Sequence, residues 1–559
     1  MHTFFPGTQY AVDVYFLRGE KPGPTIMVQG GIQGDEYCGY LTAQLLAQAK
    51  VTKGTLIVVP RANPPSIHAR ARQINVDLNR RFDKDYCEFY EDNLARLIRF
   101  LVGQSQGLIH LHAGSGFYNP VKLDDLHGPK RYGQSVIIDT TVYKNLHLER
   151  MAGKVLAQLN DGLNPDKYKF KLFDMETFSD RSPYQEHRKD LTYYTLTHVG
   201  VPAVAIEVSK NLTGRYWDYW KVSHQLQAAL LFLKQLGVEA EAPPVKLEDF
   251  QTYPPRNLRV AINGQTLDPD KPTLRVTPGV PLDVRCETTG PQNPLAPIPG
   301  VFASDRPDRN LLKVHRLPLA PFETLDIRSD GLLLAKAQLT WNKSLPASQA
   351  AHDGDLVCWL NGKLTIVPPG QTVTAVQGDQ LILEGIEGGA RQEVLSLKGY
   401  MPHLGQKKVS DAGQEIVLDP GNFVPKFLLQ AGTPGEYLCS VARETPGLPP
   451  SRFSIRLVPR VITTLVLTAD DGKTIRLPWS PDKPAQLPAG RYTLTDIQGN
   501  GPASMVQPFL GNVPLELGRS FRIGGEAEIV LRQVTTFADL GKMPVSGEHG
   551  STPGPLATN

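Results

Sequence analysis

The stretch Thr25-Ile26-Met27-Val28-Gln29-Gly30-Gly31-Ile32-Gln33-Gly34-Asp35-Glu36 places an apolar run directly before a glycine-rich loop. After this loop, Tyr37, Leu41 and Leu45 recur at helical spacing. The pattern predicts a buried strand, a tight loop and a helix in succession. In α/β sheets, active sites collect in loops beyond the carboxyl ends of strands, so polar residues in this loop are candidates for function.

The same alternation of strand and helix signals continues to about residue 240. Apolar β-rich runs at 55–59, 108–111 and 203–208 predict further buried strands, and the apolar spacing within 94–101 predicts a helix. Beyond that point, Pro and Gly interrupt short alternating runs, which is typical of all-β modules. We therefore predict an α/β fold: a mixed-sheet domain at 1–243, β-sandwich modules at 244–347 and 348–459, a C-terminal β module at 460–538 and a disordered tail at 539–559.

A weak internal repeat supports two related β modules. The turn signal Asn263-Gly264 is followed by apolar residues at spacings that recur after Asn361-Gly362, with about one residue of difference in loop length. The third β segment carries its own turn signal, Asp471-Gly472.

Composition excludes several classes of function. The net charge is only +3 over 559 residues, so the chain carries no broad electrostatic footprint for nucleic acid. Five scattered cysteines indicate neither a disulfide framework nor a thiolate zinc cluster. No apolar run is long enough for a transmembrane helix. The first residues lack a secretory signal pattern, which taken literally indicates the cytoplasm, but a removed or missed leader explains the same observation equally well.

One group of residues has the composition of a catalytic zinc site, which needs three protein ligands and an open position. Gln33 and Glu36 lie three residues apart on the glycine loop, so both can face one ion. A third ligand must come from another strand, and His110 and His112 share one face of the run at 108–112. His112, at the end of the strand, is the better ligand, and His110 is a candidate to contact it. Without further context, such a pair would be two ordinary polar residues.

A second group, shortly after the loop, suits a substrate with a carboxylate. Arg72, Asn79 and Arg80 stand among Pro, Asn and apolar residues, in a segment that opens with Arg61-Ala62-Asn63-Pro64. An arginine fork beside an amide can bind a carboxylate in bidentate fashion, and a separate arginine can stabilise an oxyanion. The alternatives are a solvated surface or a phosphate-binding patch, which more often form a continuous basic run.

Taken in chain order, these motifs resemble the carboxypeptidase A superfamily of zinc metallopeptidases over residues 25–235. The resemblance rests on Gly-Gly-x-x-Gly-x-Glu at 30–36, Asn-Pro at 63–64, Asp-Leu-Asn-Arg at 77–80, a later histidine and a distal glutamate that ends a buried strand. It implies one zinc ion and the following roles: Gln33, Glu36 and His112 as zinc ligands, Arg72 facing the oxyanion, Asn79 and Arg80 binding the terminal carboxylate, Glu207 as general base, and Tyr184 as a substrate-capping tyrosine. The Tyr184 match is the weakest, because an ordinary packed tyrosine explains it equally well. A strand-end salt bridge is the alternative for Glu207.

Gln33 departs from the superfamily, whose members usually carry histidine at this position. An amide oxygen is a poorer zinc ligand than imidazole, so the affinity for zinc should fall. The same replacement marks the cell-shape-determining D,L-carboxypeptidases of curved and helical bacteria, which this chain also resembles in having β modules after one catalytic domain. That resemblance implies a periplasmic zinc metallocarboxypeptidase that releases meso-diaminopimelate from a peptidoglycan tripeptide and contributes to cell shape. The β modules would hold it against its polymer or against a cell-envelope protein partner.

Two other functions stay open from the sequence. The succinylglutamate desuccinylase and aspartoacylase group shares the Asn-Pro and Asp-Leu-Asn-Arg pattern and hydrolyses small N-acyl amino acids. The appended β modules and Gln33 argue against that group. A zinc-poor protein that only binds wall peptides is the third hypothesis.

Overall fold

The computed structural model of the protein describes residues 1–163, 166–255, 258–267, 273–276, 283–288, 293–303, 306–313, 323–341, 354–387, 394–402, 409–481, 483–511 and 513–546. Within these ranges, no helix combines the length and the apolar character needed to cross a membrane.

The first 250 residues form a mixed sheet flanked by helices. Its region contains strands β1 (His2–Phe4), β2 (Val12–Arg18), β3 (Lys21–Gln29), β4 (Lys50–Val59), β5 (Leu108–Gly114), β6 (Phe117–Tyr118), β7 (His127–Gly128), β8 (Ser135–Ile138), β9 (Val142–Tyr143), β10 (Leu146–His147), β11 (Lys171–Asp174), β12 (Ala203–Ser209) and β13 (Glu239–Glu241). Nine of them join in the order β1-β2-β4-β3-β5-β12-β8-β11, with β13 beside β4. Because β3, β5 and β12 run parallel, their carboxyl ends meet at one edge of the sheet. The predicted α/β fold is confirmed.

The described residues of this region form seven α-helices: α1 (Tyr37–Leu46), α2 (Pro64–Ala69), α3 (Tyr90–Gly103), α4 (Leu148–Leu159), α5 (Leu191–Tyr194), α6 (Arg215–Gln235) and α7 (Leu247–Gln251). Helix α1 follows the glycine loop, as its apolar spacing predicts. Helix α3 buries Leu94, Leu97 and Leu101 in the core that the strands of the sheet share. Helix α7 buries Phe250 in the same core, so this domain extends past the predicted boundary at residue 243.

Three sets of antiparallel-rich sheets follow. The first contains β14 (Leu258–Ile262), β15 (Gln265–Thr266), β16 (Thr273–Val276), β17 (Val284–Thr288), β18 (Pro299–Ala303), β19 (Arg306–Asn310), β20 (Thr324–Ser329) and β21 (Leu332–Trp341). The second contains β22 (Leu356–Leu360), β23 (Lys363–Val367), β24 (Thr372–Val376), β25 (Asp379–Ile386), β26 (Leu395–Leu397), β27 (Glu415–Leu418), β28 (Leu429–Gln430), β29 (Tyr437–Arg443) and β30 (Arg452–Val458). The third contains β31 (Ile462–Ala469), β32 (Thr474–Pro478), β33 (Ala485–Gln486), β34 (Gly490–Gly499), β35 (Val506–Leu510), β36 (Val513–Pro514), β37 (Ser520–Ile523), β38 (Ala527–Gln533) and β39 (Asp539–Ser546).

All three sets share one strand order, although the sequence repeat pointed only to the first two. In each set, the first two strands form a hairpin, the third strand pairs parallel with the last strand in a second sheet, and the fourth strand returns to pair with the first. The hairpins at Asn263-Gly264 and Asn361-Gly362 have positive φ at both turn residues, which Asn and Gly tolerate best.

The predicted disordered tail begins too early. Asp539–Ser546 is a strand that pairs antiparallel with β38, and Met543 and Val545 bury their side chains in the core of the third set. The Gly-, Pro- and Ser-rich composition that suggested disorder belongs mainly to the residues after 546, and the predicted tail from 547 to 559 lies outside the described residues.

The β sets pack against the first domain. Phe509 and Phe537 of the third set contact Phe4 and Phe100 in one continuous core. The turn between β20 and β21, in the first set, places the buried Asp330 carboxylate against Arg61.

Candidate active site

The glycine loop after β3 is held too close to its neighbours for any larger residue. A Cβ on Gly34 would lie 2.0 Å from the carbonyl oxygen of Ser66, and Gly31 has a φ of +65°. These two constraints explain the glycines of the motif, because only glycine avoids both the clash and the strain. The loop in turn places Gln33 and Glu36 at the carboxyl edge of the sheet.

Gln33, Glu36 and His112 meet at this edge. The Nδ1 atom of His112 lies 2.8 Å from Oε2 of Glu36, which also accepts a hydrogen bond from the Ala113 backbone N–H. Gln33 donates through Nε2 to Asp77 at 3.0 Å, which leaves its amide oxygen as the atom available to a ligand. All three side chains are buried.

Opposite charges stabilise one another in this cluster. Burial by itself would raise the pKa of Glu36, but His112, Lys210 and Arg72 lower it below the usual range. Burial would lower the pKa of His112, and the Glu36 carboxylate outweighs that effect and raises it. His110 contacts the other ring nitrogen of His112, at 3.1 Å between Nδ1 and Nε2, as expected for a residue that supports a ligand.

Glu207 lies beside His112 in the neighbouring strand. The two residues are paired in the register of β12 and β5, so their side chains project from the same face. Glu207 is buried, and its Oε2 atom has no hydrogen-bond partner among the described residues. Burial raises the pKa of this carboxyl to about 8, an effect that Glu36 reinforces and His112 opposes. A buried carboxylate without a partner costs stability and is typical of a group kept for proton transfer.

The carboxylate-binding candidates lie on the loop 72–82. Arg72 contacts Asp77 at 2.8 Å and Glu36 at 3.5 Å, with its side chain 47% exposed. The Oδ1 atom of Asn79 accepts the backbone N–H of Leu191, so its Nδ2 donors face away from that bond. Arg80 is fixed by its own neighbour, since its Nη1 donates to the carbonyl oxygen of Asn79.

These residues surround a cavity of about 320 Å³. Seven of the eight predicted site residues line it: Gln33, Glu36, Arg72, Asn79, Arg80, His112 and Glu207. The lining also includes the apolar side chains of Ile137, Met175 and Ala205 and the polar side chains of Tyr132, His187, Asp190, Thr192 and Lys210. The cavity therefore offers cationic, anionic and apolar groups to a ligand.

Tyr184 does not line this cavity. Its hydroxyl donates to the carbonyl oxygen of Pro129 at 3.0 Å, and its ring packs edge-on against Tyr132 and Phe173. The sequence reasoning placed Tyr184 in the site but did not single out Tyr132, which is the tyrosine that lines the cavity.

Lys210 is a second residue that the sequence reasoning missed. Its ammonium group contacts Asp35 at 2.7 Å and Glu36 at 3.5 Å. Its position three residues after Glu207, at the end of the same strand, was the available signal. Arg61, by contrast, opened the Arg-rich segment in the sequence but points away from the site, into the contact with Asp330.

The described residues contain no group of three His, Cys, Asp or Glu side chains arranged for a metal ion. The proposed ligand set contains only two such residues, because its third member is an amide. The donor set fits a metal ion nonetheless. Glu36 and His112 present an oxygen and a nitrogen 2.8 Å apart, and the Gln33 amide is oriented by Asp77 with its oxygen unused by that bond.

The fold and the cavity define a hydrolase-like site at the carboxyl edge of a mixed sheet. Residues 15–254 match the family model described as a carboxypeptidase controlling helical cell shape, catalytic. The match covers less than half of the chain, and it agrees with the predicted lineage and with the predicted enzyme class, a hydrolase acting on peptide bonds. The match to a family of metallopeptidases implies a metal cofactor.

Other comparisons give weaker likenesses. The tripeptide-bound cell shape determinant Csd4 of Helicobacter pylori is 19% identical, with a TM-score of 0.47 over 80% of this chain and 100% of that one. A succinylglutamate desuccinylase from Silicibacter is 17% identical, with a TM-score of 0.29 over 42% of this chain and 64% of the other. The N-alpha-acetyl-L-2,4-diaminobutyric acid deacetylase of Halomonas elongata is 36% identical over 104 residues, 17% of this chain. The match spans only 30% of that curated relative's length.

Proposed function

We propose that the protein is a zinc-dependent D,L-carboxypeptidase that removes the terminal meso-diaminopimelate from a peptidoglycan tripeptide and leaves a dipeptide. The observation that carries this proposal is the convergence, in one cavity, of an unpartnered buried carboxylate, a carboxylate-binding pair and a set of metal-ligand atoms. The family match to carboxypeptidases that control helical cell shape supports the choice of a wall peptide as substrate.

Each role follows from the contacts of the residue. Asn79 and Arg80 bind the terminal carboxylate, because the amide donors and the guanidinium face the cavity from one short turn. Arg72, between Glu36 and Asp77, stabilises the negative charge that develops on the scissile carbonyl oxygen. Glu207 accepts a proton from the attacking water and returns it to the leaving amine, as a raised pKa suits a group that must both take and give a proton.

Gln33, Glu36 and His112 would hold the zinc ion. When bound, zinc supplies a Lewis acid that polarises the carbonyl and makes water a better nucleophile at neutral pH. The protein's own contribution is to fix the ligand atoms: Asp77 orients Gln33, and the Ala113 backbone orients Glu36.

The cavity suits an amino acid that carries charges of both signs in its side chain. Arg80 and His187 lie within 3.3 Å of each other on one wall, and Asp190 accepts a contact from His187 Nδ1 at 3.0 Å. Diaminopimelate ends in an ammonium and a carboxylate beyond an aliphatic stem, which the apolar side chains of Ile137 and Met175 in the cavity lining can contact. Action on peptidoglycan places the enzyme in the periplasm, with the β modules facing the polymer or a cell-envelope protein.

The experiment is a release assay. Purified protein loaded with zinc should release diaminopimelate from muramyl tripeptide, and Glu207→Ala should not. Binding of the tripeptide without release at any zinc level would favour a wall-peptide binding protein instead.

A small-molecule deacylase is the second candidate, and the 36% identity to a diaminobutyric acid deacetylase over 104 residues favours it. The same assay should therefore include N-acetyl-diaminobutyrate, acetylaspartate and succinylglutamate. Cleavage of any of these, with no release from the tripeptide, would overturn the carboxypeptidase proposal.

The role of Gln33 is tested through metal content, which needs no activity. We expect Gln33→His to retain or tighten zinc binding and Gln33→Ala to weaken it by roughly 10–100-fold, the usual range when a contact that supports a metal site is lost. Metal content after dialysis against a graded chelator gives the comparison. Unchanged retention in Gln33→Ala would show that Gln33 is not a ligand.

A further inference from the structure

The loop 72–82 carries Arg72, Asn79 and Arg80, but only a single short turn of helix, Leu78–Arg80, lies within it. Such a loop needs outside contacts to hold three site residues to within a fraction of an ångström. Two adjacent acidic residues in the first turn of α3, Glu91 and Asp92, supply contacts at different points of this loop.

Glu91 is fully buried and binds the middle of the loop. Its Oε1 atom accepts the backbone N–H of Asn75 at 3.0 Å and that of Val76 at 3.4 Å. Its Oε2 atom accepts the side-chain amide of Asn75 at 3.0 Å. Both carboxylate oxygens are thus used to fix two consecutive residues that lie between Arg72 and Asn79.

Asp92 makes different contacts from Glu91. Its Oδ2 atom accepts the backbone N–H groups of Glu88 and Phe89, which caps the start of α3, and the carboxylate also pairs with Arg81. Capping and the helix dipole explain an acidic residue at this position without any reference to the cavity. The Glu91 carboxylate, by contrast, accepts three hydrogen bonds from Asn75 and Val76 of the loop.

A buried carboxylate is expensive, so its presence requires a reason. Burial raises the pKa of Glu91 to about 7, although three hydrogen bonds from the loop oppose the shift. A glutamine or an apolar side chain would complete the helix at lower cost. A carboxylate at this position is more favourable than those side chains only because it accepts hydrogen bonds from several donors of the loop at once.

We propose that Glu91 is a positioning residue for catalysis: through Asn75 and Val76, it holds the turn that presents Asn79 and Arg80 to the substrate carboxylate. Glu91 does not touch the cavity itself. This inference rests on the proposed function, since it assumes that Asn79 and Arg80 bind a terminal carboxylate.

The kinetic test uses the full-length, zinc-loaded protein and muramyl tripeptide. In Glu91→Ala, we expect KM to rise about tenfold while kcat falls less than about threefold, because Asp77 still holds Arg72 and the chemical groups stay in place. Glu91→Gln should raise KM by less than Glu91→Ala does, since an amide oxygen can still accept the Asn75 N–H.

Glu415→Gln is the matched control. Burial raises the pKa of Glu415 to about 7 as well, but this residue lies in the second β set, near Gln9. Its replacement should leave KM and kcat unchanged. An unchanged KM in Glu91→Ala, or an equal change in the control, would overturn the proposal.

Hydrogen exchange gives a readout that does not depend on activity. Glu91→Ala should speed exchange of the backbone amides in 72–82 and leave the amides of β3, β5 and β12 protected. If Glu91→Ala does not fold, Glu91→Gln and Asn75→Ala carry the same comparison. Exchange that is unchanged in 72–82, or faster everywhere, contradicts the inference even if the tripeptide proves not to be the substrate. Failure of the wild-type protein to cleave the tripeptide, with exchange changed only in 72–82, would overturn the proposed function alone.

Discussion

Two buried carboxylates of this protein have opposite surroundings. Asp330, at the contact between the first β set and the catalytic domain, accepts a bidentate pair from Arg61 at 2.8 and 3.0 Å, the Ile298 N–H at 3.0 Å and the Tyr253 hydroxyl. Glu207, at the sheet edge, has an oxygen with no partner among the described residues. Both side chains are almost fully buried.

The difference in hydrogen-bond partners indicates a structural role for Asp330 and a chemical role for Glu207. A buried carboxylate whose lone pairs are all used can hold two domains together, and its removal leaves a buried arginine without a counter-charge. A buried carboxylate with an unused oxygen lowers stability but can exchange a proton with a substrate. Burial alone therefore does not distinguish the two carboxylates, whereas their hydrogen-bond partners and the position of Glu207 in the cavity lining do.

The largest effect expected is on catalysis at Glu207. Glu207→Gln should reduce kcat for release of the terminal residue by about 10⁴-fold, because the amide cannot accept the proton. The free energy of unfolding should change little at neutral pH, because burial raises the pKa of Glu207 to about 8 and the amide then replaces a largely protonated carboxyl. Turnover and urea unfolding on the same preparation test both parts. A large loss of stability would show that Glu207 is a structural ion-pair partner.

Asp330→Asn should produce the reverse pattern. We expect a loss of about 3 kcal/mol in the free energy of unfolding, because Arg61 remains buried without its counter-charge. Activity per folded molecule should be retained. The matched control is Asp283→Asn, an exposed aspartate of the same β set paired with Arg285, which should change stability by less than about 0.5 kcal/mol. An equal loss of unfolding free energy in the two variants would contradict the structural role of the Asp330–Arg61 pair.

Asp139 is a third buried carboxylate, with one oxygen bonded like those of Asp330 and one oxygen without a described partner like that of Glu207. Its surroundings predict that the stability of the protein depends on pH. Its Oδ1 atom accepts the Thr177 hydroxyl, its Oδ2 atom has no partner among the described residues, and burial, together with Asp190, raises the pKa to about 8. Because the folded state holds this proton more tightly than the unfolded state, stability should fall as pH rises from about 4 to about 8. Asp139→Asn should remove this decline, which we expect to be about 1–3 kcal/mol in urea unfolding at pH 5 and pH 8. A slope equal to that of the wild type would contradict the assignment.

The smallest effect expected is at Tyr184. Its hydroxyl bonds to Pro129 outside the cavity, so Tyr184→Phe should lower kcat/KM by only about two- to threefold. Steady-state kinetics on the tripeptide provide the measurement. A fall of a hundredfold in kcat would instead give this hydroxyl the substrate-capping role that the resemblance suggests.

Much of the site could be predicted from sequence because its signals are local. Gln33 and Glu36 are fixed by a loop whose glycines are each required by a close contact or a positive φ. His112 and Glu207 end apolar runs that read as buried strands, and parallel strands bring such ends to one edge. The α/β class follows from the same periodicity.

The features that the sequence did not reveal have a common physical cause. Arg61 and Arg72 look alike in sequence, but the turn at Asp330 takes Arg61 into a domain contact. The residues from 539 to 546 look like a flexible tail, yet two alternate apolar side chains suffice to add a strand to an existing sheet. Each case depends on a partner that lies far away in the chain.

The sequence by itself determined the α/β class, the ligand loop and the order of the site residues, because these depend on spacings of a few residues and on backbone geometry. Only the tertiary structure decided which buried charges are paired, that Tyr132 rather than Tyr184 lines the cavity, and that Glu91 supports the loop that carries Arg80. Those properties depend on contacts between residues distant in sequence, and such contacts exist only once the chain is packed.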